Sequence, residues 1–289
     1  MLLLIERTLE DSEQTVLTQL QAQVNSEVSF AKKAAKAKTL WKTKGGKEGK
    51  QAFVKIADAL AEMCVSVKTC NYCEGNEAED IEHIYPKSFF PEKAFEWQNY
   101  LLACKQCNSG DKLDKCFVMD ADGTVYSTVR GVEPVHSNVA FINPRIDNPK
   151  DFLWLNMEVG KFELLIDLSE AYKNKALKTL EILALNERDY LIVGRKRVAD
   201  ELYDKMDRLS RIVKAANVSE IETILAPYHG IIDATLPIET IKYQVIETTK
   251  QHIYKLLHPS VWYAIQTIAS KVNSKWEAIF EVLPEALEW

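Results

Sequence analysis

Nowhere in this chain of 289 residues does an apolar run approach the roughly 20 residues needed to cross a bilayer. The opening Met1-Leu2-Leu3-Leu4-Ile5 run is too short for the core of a secretory leader and meets Glu6 and Arg7 at once. A cytoplasmic protein with no membrane partner is expected. There is no internal repeat and, one lysine block apart, no low-complexity tract. The formal net charge of -6 excludes a globally basic nucleic-acid binder. No Gly-x-x-x-x-Gly-Lys-(Ser/Thr) string occurs, so any ATP hydrolysis must come from a partner. Histidine is sparse, and His136, His229, His252 and His258 have no companions in sequence that would give them chemistry.

What is present is uneven. Hydrophobic residues make up 47% of the chain and charged residues 27%, enough for one large domain or two modest ones. Between Ala31 and Lys50 lie Lys32, Lys33, Lys36, Lys38, Lys42, Lys44, Lys47 and Lys50, against the single acid Glu48. Such a block is either a solvated helix face and loop or a collector of phosphates. Four of six cysteines fall in two Cys-x-x-Cys pairs, Cys70/Cys73 and Cys104/Cys107. In an intracellular chain that pattern points to zinc rather than disulfides. Each pair presents two thiolates on one tight turn, and two pairs complete a tetrahedron. A redox role is disfavoured because neither pair sits in a βαβ context. Cys64 reads as an apolar contact rather than a ligand.

Periodicity places a helix from Asp11 to about Ala37, broken by Gly45-Gly46, and another through Phe53, Val54, Ile56, Ala57 and Leu60. Phe117 to Tyr126 reads as two strands around Asp122-Gly123. Its Asp120-x-Asp122 string lacks the closing Glu of a calcium loop. Asn143 to Pro149 reads as an extended connector with two prolines. Leu153 to Ile166 suggests a hairpin turning at Gly160, and from about Ser169 the pattern is mostly helical, interrupted near Gly230 and Pro259. The expected class is α+β, with a small zinc-stapled core in a mainly helical body. The expected divisions are an N-terminal helical region with the lysine-rich segment (1–66), a core (67–118), hairpins and connector (119–168) and a helical C-terminal region (169–289). The dense C-terminal aromatics read as core packing, with Trp289 a candidate docking residue.

The cysteine pairs bracket Ile81-Glu82-His83-Ile84-Tyr85-Pro86 and Trp97-Gln98-Asn99-Tyr100, and Asn108 follows the last cysteine. Metal-assisted phosphodiester cleavage needs a base, a divalent cation and residues that hold both. Neutral His83 suits the base, and Glu82 offers a hard oxygen for magnesium or manganese. Asn108 can reach the same cation from the start of a helix, and Asn99 can bond the loop backbone. Lys87, Lys105 and Lys112 could touch the nucleic-acid backbone.

From about Cys70 to Lys112 these strings resemble the HNH endonucleases, whose ββα-metal core orders an acid-His, an Asn and a final His or Asn. The resemblance implies His83 as general base, Asn99 as the middle residue, Glu82 and Asn108 as ligands of a catalytic magnesium or manganese, and zinc on Cys70, Cys73, Cys104 and Cys107. Glu82 stands where Asp is commoner, and Asn108 where His is commoner, which leaves the metal preference open. A wider set of strings, Cys70-x-Tyr72-Cys73-Glu74, Ile81 to Lys87, Phe95-Glu96-Trp97-x-Asn99 and Ile182 to Leu191, resembles the PtuB-like HNH proteins of Septu-type antiphage systems. That resemblance implies a defence role, a nucleic-acid substrate with DNA ahead of RNA, and an SMC-like/ABC ATPase partner of the PtuA type. The alternatives are a zinc-containing module that binds nucleic acid or a partner without cutting, and a structural subunit that positions an ATPase.

Overall fold

The computed structural model describes residues 1–228 and 232–289 and divides into two compact units, Met1–Trp154 with Phe162–Leu191, and Leu155–Lys161 with Ile192–Trp289. Its mix of helices and short strands is α+β. No helix among the described residues is long and apolar enough to cross a membrane.

The long N-terminal helix expected from composition is two helices, α1 (Asp11–Asn25) and α2 (Phe30–Thr43). The break follows from Ser26 and Ser29, whose hydroxyls compete for backbone groups. Ser29 is extended and caps α2 by accepting the Lys32 N–H at 3.4 Å. At the other end Lys44, Gly45 and Gly46 all take positive φ, which stops α2 where the glycine pair predicts. Gly45 takes φ 71, which favours glycine, and a Cβ there would also have to displace the Leu20 Cδ2 methyl 2.6 Å away. α3 (Lys47–Glu62) buries Ala52, Phe53, Ile56 and Leu60 on one face. α1 packs on α2 and α3, and α3 covers the strand that follows the histidine loop.

That strand, β2 (Tyr100–Ala103), pairs antiparallel with β1 (Asp80–His83) in the register His83 to Tyr100 and Glu82 to Leu101. From within the second cysteine pair the chain forms not an α-helix but a π-helical turn, Gln106–Lys112, which carries Cys107 and Asn108. The Leu113 N–H reaches back to the Asn108 carbonyl at 2.7 Å, five residues away. β3 (Phe117–Met119) lies between β4 (Val125–Ser127) and β5 (Asn138–Val139). The two-residue β5 was too short to read from sequence. The Asp120 carboxylate accepts the Asp122 and Thr124 N–H groups and the Tyr126 hydroxyl, so it serves the hairpin turn.

Asn143 to Pro149 is a compact turn rather than an extended connector. The Ile146 and Asp147 N–H groups both bond the Asn143 carbonyl, and Asp147 accepts the Asn143 N–H. The turn buries Arg145. Its guanidinium donates to the Trp97 and Tyr100 carbonyls, ion-pairs with Glu6 and lies 4.5 Å from the Trp97 ring centroid.

β6 (Leu153–Asn156) and β7 (Lys161–Leu164) form the expected hairpin, with Gly160 at φ 70. α4 (Glu170–Leu183) starts at the Ser169 cap. Asn186 beyond it clamps Phe162 by bonding both its N–H (2.9 Å) and its carbonyl (2.7 Å).

α5 (Asp189–Lys214) continues into the second unit, where α6 (Val218–Leu225) and α7 (Ile238–Ile253) follow. Ile212, Ala215, Ile221 and Ile241 form a core there. The helix break expected at Gly230, and His229, lie outside the described residues. At Pro259 the break is present, with His258 left-handed just before it. Trp262, Trp276 and Phe280 are buried, and Trp289 stacks on Trp262 while its carbonyl accepts Gln266 Nε2 at 2.7 Å.

Candidate functional site

Four thiols from two distant turns converge in the first unit. The sulfurs of Cys70, Cys73, Cys104 and Cys107 all lie within 4.8 Å of one another and all four residues are buried. A zinc–sulfur bond of about 2.3 Å places tetrahedral sulfurs about 3.8 Å apart. Cys73 and Cys104 are separated by 3.8 Å, so the set fits zinc. The donors around it fit as well, because a zinc tetrathiolate is an anion that needs N–H groups aimed at sulfur. The Cys107 N–H points at Cys104 Sγ (3.4 Å) and Asn76 Nδ2 lies 3.8 Å from both Cys73 and Cys104. Arg188 Nη2 donates to Cys107 Sγ at 3.3 Å, and the same guanidinium pairs with Asp111 (3.2 Å) and bonds the Tyr190 hydroxyl (3.1 Å). Cys64 stays outside the cluster, its thiol directed at the Leu60 and Thr69 carbonyls.

The cysteine turns frame the β1–β2 pair, and β1 carries Glu82 and His83 to the edge of a cleft of about 590 Å³. Both residues line it, together with Lys87, Asn108, and Lys38 and Trp41 of α2. His83 is only 4% exposed, and its Nε2 lies 3.0 Å from the Ala94 carbonyl, which also accepts the Tyr100 hydroxyl at 2.7 Å. A carbonyl partner assigns the proton to Nε2 and leaves Nδ1 as the basic atom. Trp41 stands edge-on to the imidazole, with centroids 4.1 Å apart. Burial, and next the charge of Lys87, hold the His83 pKa well below its usual value, so the ring is neutral at ordinary pH.

Asn99 is spent entirely on backbone. It accepts the Tyr85 N–H (2.7 Å) and donates to the Tyr85 (3.0 Å) and Lys93 (2.8 Å) carbonyls, which ties the loop after His83 to the start of β2. Asn108 sits on the π-helical turn and donates to Asp80 Oδ2 at 2.9 Å, which engages its amide nitrogen.

Glu82 has a partner that no spacing announced. Lys112 Nζ lies 2.5 Å from its Oε1 and 2.7 Å from the His83 carbonyl, with Lys112 itself 1% exposed. Burial raises the Glu82 pKa and the Lys112 charge opposes that rise. Lys112 is thus turned into the protein, and Lys105 is exposed but does not line the cleft. Of the three lysines named from sequence only Lys87 reaches the cleft wall. Lys38, Trp41 and Arg130 join it, and only the lysine block hinted at the first of these.

The chain is similar to Septu protein PtuB of Bacillus thuringiensis. The two are 27% identical over 175 residues, covering 58% of this chain and 54% of that protein. The chain therefore spans about half the length of the curated relative it matches. No family model matches the chain, and no solved structure does.

Proposed function

We propose that this chain is a zinc-stapled, metal-dependent endonuclease of the HNH type that hydrolyses nucleic-acid phosphodiesters, DNA before RNA. We propose further that it serves antiphage defence beside an ATPase partner of the PtuA type. The observation that carries the chemistry is His83: a buried, neutral imidazole whose Nε2 is tied to the Ala94 carbonyl, at a cleft that also holds Glu82, Asn108 and Lys87. The likeness to Septu protein PtuB supports the biological setting.

In this reading Nδ1 of His83 takes a proton from water as the water oxygen attacks phosphorus, and the 3′ oxygen departs. Asn99 acts on the backbone around the base and keeps the loop closed on β2. Glu82 and the amide oxygen of Asn108 would hold a magnesium or manganese ion, a sparse ligand set that suits magnesium with its retained waters. Bound there, the ion would stabilise charge on the leaving oxygen. Lys87 would steady a phosphate at the cleft wall. The nuclease core comprises residues 67–118, preceded in the chain by the N-terminal helical region and followed by the hairpins of 119–168 and the helical region of 169–289.

The second reading is a module that binds nucleic acid or a partner without cutting. One observation favours it, namely that Lys112 already occupies the Glu82 carboxylate. Incubating plasmid DNA and cellular RNA with the zinc-loaded chain, with magnesium or manganese, beside His83→Ala separates the two. Cutting by the wild type alone supports the nuclease and names its polymer. Equal cutting by both removes His83 from the base role, and no cutting with tight binding favours the module.

A further inference from the structure

α2 holds Lys32, Lys33, Lys36, Lys38 and Lys42 and no acid, in a chain of net charge -6. One side of it is a wall of the candidate cleft, through Ala34, Ala35, Lys38 and Trp41. At about 100° per residue, Lys42 falls on that same side, while Lys32 and Lys36 fall on the opposite side. That side therefore carries two small residues, two lysines and Trp41. The two alanines let a polymer backbone approach the helix, and the two lysines meet it with charge.

The positive potential continues past the helix. Lys44 Nζ lies 3.0 Å from the Trp41 ring centroid and Lys87 Nζ lies 5.4 Å from the same ring. The Lys44 and Lys87 amines thus both approach the Trp41 ring, which packs on His83. Burial first, and then the charge of Lys87, press Lys44 down to about 7. An anion beside either amine would favour its charged form. A polyanion in the cleft would meet Lys87 and Lys38, which line it, and Lys42 lies on the same side of α2.

We propose that the cleft face of α2, through Lys38 and Lys42, is a binding track for the sugar–phosphate backbone of nucleic acid. The inference rests on the nuclease reading for the identity of the polyanion, but not on cleavage. It makes affinity sequence-independent and steeply salt-dependent, since each lysine–phosphate contact releases counterions. It also separates α2 into a working face and an idle one, which plain charge attraction would not do.

The test measures binding of the full-length, zinc-loaded chain to a fluorescein-labelled DNA oligonucleotide by anisotropy, without added magnesium or manganese, across a salt series. Lys38→Gln/Lys42→Gln is compared with Lys32→Gln/Lys36→Gln, which removes equal charge from the opposite face. The expected result is a loss in the slope of log affinity against log salt of about 1.4 to 1.8 for the cleft-face pair and little change for the other. Equal effects from both pairs overturn the proposal, as do unchanged slopes or salt-insensitive binding by the wild type. If the wild type cuts DNA while the cleft-face pair binds and cuts like it, the track fails and the nuclease reading stands. If the slopes split as expected and nothing is cut, the track stands and the nuclease reading fails.

Discussion

Lys112 and Glu82 form a buried ion pair, Nζ to Oε1 at 2.5 Å, beneath the candidate catalytic histidine. The same ammonium holds the His83 carbonyl, so one side chain links the π-helical turn to both residues at the end of β1. The pair fixes the carboxylate in place. It also sets a condition on any divalent ion at Glu82, which must share or replace a resident positive charge.

Lys112→Met should cost about 3–5 kcal/mol, because it strands a buried carboxylate. Urea unfolding of the zinc-loaded protein measures this. The loss should shrink with acidification. Burial raises the Glu82 pKa above its usual 4.5, and without Lys112 only the Lys87 charge and the His83 N–H oppose that rise. A folded-state pKa above the unfolded one lets the native state take up the proton first, so stability rises as pH falls through that window. Adding Glu82→Gln should recover most of the loss at neutral pH. A pH-independent deficit, or no recovery, would show that packing of the lysine stem matters and the ion pair does not.

The two cysteine pairs, the Glu82-His83 string, Asn99 and Asn108 were legible because each is a local string whose spacing has chemical meaning. Lys112 was named, but as a solvent-facing cation, since nothing in sequence says which lysine turns inward. Arg145 and Arg188 were illegible for the same reason: their partners are 45 to 48 and 81 residues away. The split of α1 from α2 was missed because strong helix formers flank it on both sides and only serines mark it. The π-helical turn was missed because its hydrogen-bond slip leaves no mark on composition.

Arg188 should govern zinc retention. Its guanidinium is the cation against the thiolate cluster, and it reaches Cys107 from the segment between α4 and α5. Arg188→Ala should weaken zinc binding about 10–100-fold, the usual effect of losing an outer partner of a metal site. Competition with a coloured chelator reads this directly. Arg188→Lys should recover part of the affinity through charge alone. Affinity unchanged in Arg188→Ala would mean that the backbone N–H groups and Asn76 suffice.

Removing zinc should loosen the core rather than the whole chain. The cysteine turns have little apolar core of their own, so the metal supplies much of their local folding energy. Cys104→Ser, or chelation of the wild type, should expose the Cys70–Lys112 segment to protease before the C-terminal helices. Full zinc retention and unchanged cleavage sites in Cys104→Ser would refute the four-thiolate centre.

Asn99→Ala should cost about 1–3 kcal/mol, since it removes the side-chain partner of the Tyr85 N–H and carbonyl and leaves the Lys93 carbonyl with the Glu96 N–H alone. The loop carries the backbone next to His83, so cleavage should fall by more than stability alone explains. Hydrogen exchange at Tyr85, compared with cleavage rate under conditions where both proteins are folded, separates the two effects. A variant that opens at Tyr85 yet cuts at the wild-type rate would leave Asn99 a purely structural role.

The pH dependence of cleavage carries the sharpest signature of His83 as the base. His83→Ala should lower the rate about 10²–10⁴-fold. In the wild type the acid limb should lie below pH 6.5, the ordinary histidine value, because burial and then the Lys87 charge disfavour the imidazolium. Linkage gives stability the same sign. The folded-state pKa is depressed, so the contribution is whole above about pH 6.5 and is lost as pH falls towards the folded value. Lys87→Gln removes the nearby charge but not the burial, so it should move the acid limb upward in pH while leaving it below the ordinary histidine range. A limb that ignores Lys87→Gln would place the titrating group elsewhere in the cleft, and His83 would then be a packing residue between Trp41 and Tyr100.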